Sequence, residues 1–134
     1  MNVLIIGRGR VGNGLRATLR DSAQIDVRSM GRTVAASAVR SADVIVLAVP
    51  DEAIETVAEA IAPNVRPNST VVHCAGARGV DELGACAANG ASVGVMHPLV
   101  SFPSKRNHPS LTGTSFTVSG DRAAIAASRR IASA

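Results

Sequence analysis

Apolar residues fall along this chain in short runs parted by helix-patterned stretches. Residues 3–6 read Val-Leu-Ile-Ile, and residues 44–49 read Val-Ile-Val-Leu-Ala-Val, the strongest apolar run in the chain. Residues 69–74 and 92–96 repeat the type. Runs this short, branched and unbroken are what a strand buried on both faces shows. Residues 24–29 and 114–119 are weaker candidates that bring the strands to six. Between them the pattern predicts a helix from 15 to 20, a short one over 33–40, and one over 52–62 with Asp51 as N-cap and Glu55 and Glu59 on its wet face. A further helix runs from 79 or 80 to 88 and stops at Asn89-Gly90, and a last one runs from its cap Asp121 to Ala134. Strands alternating with helices imply α/β: one domain over 1–134, a doubly wound, mostly parallel sheet covered on both faces.

The first run leads into Gly7, Gly9 and Gly12, spaced G-x-G-x-x-G, and then into the first helix. Strand, glycine turn and helix in this order make the dinucleotide-binding, Rossmann-type fingerprint. Gly7 allows the tight turn, Gly9 lets the backbone approach a pyrophosphate, and Gly12 lets the helix pack against the strand. The helix N-terminus offers free N–H groups to phosphate. The gap from 33 to 43 is too short for the usual third strand and its crossover. The sheet order is therefore expected to be 2-1-3-4-5-6, numbering strands along this chain.

The residues after the second strand bear on which dinucleotide fits. An acidic residue about twenty positions past the glycines holds the ribose 2′-OH of NAD. Here Gly31, Arg32 and Thr33 stand in that region, and a guanidinium with a hydroxyl suits the 2′-phosphate of NADP. Arg28 is a second phosphate candidate. Asp26 is acidic but precedes the strand end. NADP is thus expected over NAD.

Composition narrows the class. The chain has 134 residues, 46% hydrophobic and 18% charged, and no long uncharged apolar run, so a membrane span is not expected. Residues 1–2 run straight into a strand, which argues against a secretory leader and for the cytoplasm. Cys74 and Cys86 fit no metal or redox spacing and read as free thiols; a zinc site from them with His73 and His97 matches no usual ligand pattern. The net charge of +4 comes almost wholly from arginine, Lys105 being the only lysine. A basic chain can bind nucleic acid, but two phenylalanines and no Trp or Tyr leave almost no stacking platform. Arg8, Arg10, Arg16 and Arg20 cluster near the glycine turn instead, the last two on what reads as a solvated helix face.

Ligands of open α/β sheets bind beyond the carboxyl ends of the strands. His73 and His97 stand at two such ends. Either can give a proton to a carbonyl as hydride arrives, or hydrogen-bond the substrate; either can equally tie its ring to a loop carbonyl. Cys74 beside His73 lacks an orienting acid and reads as a packed strand-end residue. His108 lies in the loop over 103–113, whose length suits a functional loop.

Gly-Arg-Gly-Arg-Val-Gly at 7–12, Ala-Asp-Val-Ile-Val-Leu-Ala-Val-Pro-Asp at 42–51, His-Cys-Ala-Gly at 73–76 and His-Pro-Leu-Val-Ser-Phe at 97–102 occur in that order. This set resembles the Rossmann-like oxidoreductases with a C-terminal helical domain of uncharacterised function, relatives of pyrroline-5-carboxylate reductase, ketopantoate reductase and 6-phosphogluconate dehydrogenase. The resemblance implies NADP contacts at Gly7, Arg8, Gly9, Arg10, Val11, Gly12, Arg32, Thr33, Val49 and Pro50. It offers His73, His97 and Ser101 as catalytic candidates. It also implies a helical domain beyond this stretch that closes the cleft and commonly forms a homodimer; residues 129–134 end inside a helix without that domain.

The expected function is therefore the NADP-binding domain of an oxidoreductase acting on a small carbonyl, imine or hydroxy substrate, without metal and without a membrane. Its rivals are a sensor or scaffold that binds NADP without turnover and, against the lack of aromatics, a nucleic-acid module.

Overall fold

The unbroken apolar runs become the middle of one sheet in the computed structural model, which describes residues 1–31, 33–99 and 114–134. Its strands are β1 (Asn2–Ile6), β2 (Asp26–Met30), β3 (Val44–Leu47), β4 (Thr70–His73), β5 (Ser92–Pro98) and β6 (Phe116–Gly120). The helices are α1 (Arg10–Leu19), α2 (Ala36–Ser41), α3 (Ile54–Ile61), α4 (Gly84–Ala88) and α5 (Arg122–Ala132). The order across the sheet is β2-β1-β3-β4-β5-β6. No strand stands between β2 and β3 in the chain: the short connection carrying the six-residue α2 crosses over β1, which pairs directly with both. The first five strands are parallel, whereas β6 returns antiparallel to β5.

Alternation along each strand fills two cores. Leu4, Ile6, Ile45, Leu47 and Val71 point to one face, against Ile54, Val57 and Ile61 of α3. Val3, Ile5, Val46, Val72 and Met96 point to the other, against Leu15 and Leu19 of α1 and Ile131 of α5. Each fully buried Leu or Ile is worth about 1.5–3 kcal/mol, so both faces need their helices. The chain is a doubly wound α/β domain.

Several boundaries differ from the sequence expectation, each for a local reason. Asp51 does not cap a helix over 52–62. Pro50, with φ −54°, stands before a 3₁₀ turn over Asp51–Ala53, closed by Ala53 N–H on Pro50 O at 2.8 Å, and α3 begins only at Ile54. The predicted helix at 79 or 80 to 88 splits into a 3₁₀ turn over Val80–Leu83 and α4. The short helix over 33–40 shifts to Ala36–Ser41. Asp121 does stand ahead of α5, but makes no capping bond; its carboxylate accepts from Val93 N–H at 2.8 Å, tying the last helix to β5. At the opposite end of the sheet from the strand termini, Asp43 accepts from Asn2 N–H at 2.7 Å and pairs with Arg66 at 2.9 Å. The amide bond first, and Arg66 after it, hold the Asp43 carboxyl below its ordinary range.

Among the described residues no helix is long and apolar enough to cross a membrane.

Candidate functional site

The strand order reverses between β2-β1 and β3-β4, and the crevice outside the carboxyl ends opens at that switch point. The turn after β1 forms its floor. Gly7 has φ +119°, a left-handed setting that disfavours any side chain, and its N–H donates to Met30 O at 2.8 Å. A Cβ at Gly7 would drive into the Ala48 carbonyl, and one at Gly12 into the Gly7 carbonyl. The first and third glycines are thus demanded by the protein's own packing. Gly9 is not: a Cβ there would meet nothing within 4 Å. The space above it belongs to no part of the described protein.

Gly9 is the N-cap residue of α1, so the positive end of that helix's dipole lies at this turn. Arg8 and Arg10 are exposed on either side of Gly9, and Val11 is half-buried. Asn13 braces the turn by donating Nδ2–H to the Arg8 carbonyl at 2.7 Å. Val49, half-buried, and Pro50, exposed, follow β3 on the far side of the switch point. Thr33 is exposed beyond β2; Arg32 and Ser101 lie outside the described residues.

Beside the turn, Arg8, Arg16 and Arg28 line one open basin of about 570 Å³ between α1 and β2. Among the described residues no acidic group pairs with any of the three, while Arg20 approaches Asp21 at 3.8 Å. Arg16, read from the sequence as part of a solvated helix face, is exposed and lines this basin. Asp26 opens β2 opposite Asn2, whereas Met30 ends it opposite Ile6. Four residues of strand, about 13 Å, thus separate Asp26 from the strand end.

The two histidines grip the loop over 74–79 from different sides. His73 is wholly buried. Its Nδ1 accepts from Ala75 N–H at 3.1 Å, so Nε2 carries the proton and donates to Gly79 O at 2.8 Å. Both ring nitrogens are spent on backbone, which gives His73 the bonding of a loop latch rather than of a group open to substrate. His97 is only half-buried, and its Nδ1–H donates to Cys74 O at 2.9 Å. That bond leaves Nε2 as the ring nitrogen able to meet another molecule. The difference comes from register: His73 pairs with Val95, so His97 stands two residues, about 7 Å, farther out along the neighbouring strand.

Both cysteines are free and buried. Loss of water around it pushes the Cys74 thiol up to about 12, and the same cause pushes Cys86 up to about 11. Neither is a thiolate at neutral pH, so neither is a poised nucleophile. Among the described residues no three His, Cys, Asp or Glu side chains are grouped to hold a metal ion.

Two features were not reached from the sequence. The convergence of Arg16 with Arg8 and Arg28 depends on how α1 lies across β2. Gly76, against which the His97 ring packs, carries no signal beyond its place three residues after a strand-end histidine.

The Rossmann-like domain family model matches residues 16–98. No curated protein matches the chain in sequence. Among solved structures, Synechocystis arogenate dehydrogenase superposes with a TM-score of 0.80 at 15% identity, over 98% of this chain and 55% of that one. Prephenate dehydrogenase from A. aeolicus, in complex with hydroxyphenyl propionate and NAD+, gives 0.79 at 17% identity, over 99% and 56%. Plasmodium falciparum pyrroline carboxylate reductase with NADP bound gives 0.72 at 17% identity, over 97% and 52%. At such identities the likeness is one of fold. The chain spans about half the length of each of these three proteins.

Proposed function

The chain belongs to the Rossmann-like domain family, and from its strand-end crevice we propose that it is the NADP-binding domain of an oxidoreductase acting on a small carbonyl, imine or hydroxy compound. One observation carries the reading: of the three fingerprint glycines, two are filled by protein and the middle one opens on empty space. That is the cradle a pyrophosphate needs. The residues that would hold the dinucleotide are Gly7, Arg8, Gly9, Arg10, Val11 and Gly12 at the phosphates, with Val49 and Pro50 beyond β3. When bound, the cofactor supplies hydride exchange at its nicotinamide.

Support for NADP over NAD comes from the basin of Arg8, Arg16 and Arg28 and from the distance of Asp26. Thr33 and Arg32 belong to the same proposal as 2′-phosphate partners. His97 is our candidate for the substrate-facing group, as proton donor or anchor through Nε2; Ser101 follows it in sequence and is proposed with it. His73 is proposed as the latch that fixes the loop over 74–79. Val80 and Leu99, apolar and exposed, suit cover by a second domain or a second copy, and a cytoplasmic homodimer is part of this reading.

Titration of the protein with NADPH and, separately, NADH tests the assignment. Removing one arginine–phosphate hydrogen bond should weaken binding by about 1.5–3 kcal/mol, roughly ten- to a hundredfold. Arg28→Ala is expected to lose NADPH affinity by that factor and leave NADH unchanged. Equal losses for both cofactors would overturn the 2′-phosphate assignment. Binding of neither by the parent protein would overturn the proposal.

A further inference from the structure

Gly76 lies in the loop that both histidines grip. Its backbone is outside the left-handed region, so alanine would fit its conformation. Its surroundings are another matter. A Cβ at Gly76 would stand 2.7 Å from Cδ2, 2.9 Å from Nε2 and 3.0 Å from Cγ of His97, and these are its three nearest atoms. Ordinary van der Waals contact begins near 3.4 Å, so the ring would have to retreat by several tenths of an ångström. The same ring is pinned at its other side by Nδ1–H on Cys74 O at 2.9 Å. The missing side chain at 76 and the carbonyl at 74 thus register the imidazole between them.

We propose that Gly76 is a positioning residue for His97. By lacking a Cβ it leaves room for the imidazole to sit with Nδ1 bonded to Cys74 O and with Cδ2 and Nε2 against Gly76. This rests on the reading of His97 as the substrate-facing group, but its mechanical content does not. The seat imposes the Nδ1–H tautomer, because a carbonyl can only accept. A free histidine side chain in water prefers the other tautomer.

The test is a long-range ¹H–¹⁵N spectrum of the whole chain without cofactor, at about pH 8, above the ordinary histidine range. The parent protein is expected to show His97 as the Nδ1–H tautomer, and Gly76→Ala to move it to the Nε2–H form or to a mixture. An unchanged tautomer in Gly76→Ala overturns the proposal, as does a parent His97 carrying its proton on Nε2. A double-mutant cycle provides the second readout. Gly76→Ala should lower Tm in the parent and lower it far less in His97→Ala, where the ring it strikes is gone. Equal losses in both backgrounds overturn the proposal. If Gly76→Ala fails to fold, folding of the Gly76→Ala/His97→Ala double variant upholds it and failure of both overturns it. Neither readout uses a dinucleotide, so a protein that passes both but binds no NADPH keeps its seat for His97 and loses the proposed function.

Discussion

Alanine at Gly9 should separate binding from folding. The residue has φ −81° and ψ −162°, an extended setting open to any side chain, and a Cβ there meets nothing within 4 Å. Folding should therefore be unharmed. The gain of about 0.4–1 kcal/mol that Gly→Ala brings through the unfolded chain is offset by the N-cap preference for glycine over alanine, so Tm should stay within about 4 °C of the parent. Binding is a different matter, because the added methyl group stands in the space proposed for the pyrophosphate. Breaking one charge-assisted hydrogen bond there costs about 1.5–3 kcal/mol, roughly ten- to a hundredfold in Kd. Gly12→Ala is the control. Its Cβ strikes the Gly7 carbonyl, a backbone atom that cannot swing aside. Overpacking of about 1–3 kcal/mol then outweighs a helix-propensity gain of up to about 1 kcal/mol. The assay pairs thermal unfolding with NADPH titration on both variants. NADPH binding by Gly9→Ala equal to the parent's, or a stability loss as large as that of Gly12→Ala, would refute a pyrophosphate site over Gly9.

Two further predictions concern the buried groups under the site. His73→Ala removes a filled core position and strands Ala75 N–H and Gly79 O; a loss of about 3–5 kcal/mol in denaturant unfolding is expected, and a loss under about 1 kcal/mol would deny the latch. Cys74 titrates near 9.0 when unfolded and only at about 12 when folded. Between those values the unfolded state has released a proton that the folded state keeps, so stability falls as pH rises through the window. Cys74→Ala should flatten that alkaline decline in Tm, and an unchanged slope would show that the thiol does not contribute to it.

What the sequence made legible was whatever packing imposes on composition. β1 and β3 are buried on both faces and announce themselves as branched apolar runs, and the glycine spacing marks the turn between β1 and α1 because two of its positions exclude any side chain. What stayed hidden depends on how elements meet in space. The antiparallel return of β6 leaves no mark in Phe-Thr-Val-Ser-Gly, since a half-exposed edge strand reads alike in either direction. Asp121 has the residue type of a helix cap, but its carboxylate serves Val93 on a neighbouring strand. His73 and His97 look equivalent as strand-end histidines, and only the register of β4 against β5 buries one and leaves the other half-open. The arginine basin is likewise a matter of docking: Arg16 and Arg28 are twelve residues apart in the chain and meet only because α1 crosses β2.

We place a dinucleotide across the carboxyl ends of the strands, over Gly9. An amide ¹H–¹⁵N titration with NADPH tests it most directly. Saturable shifts are expected at the amides of Arg8, Gly9, Arg10, Val11 and Gly12, at Thr33 and at Val49, with little change at Asn2, Asp43 or Arg130 on the opposite end of the sheet. Shifts centred on that opposite end, or none at all at millimolar NADPH, would contradict it.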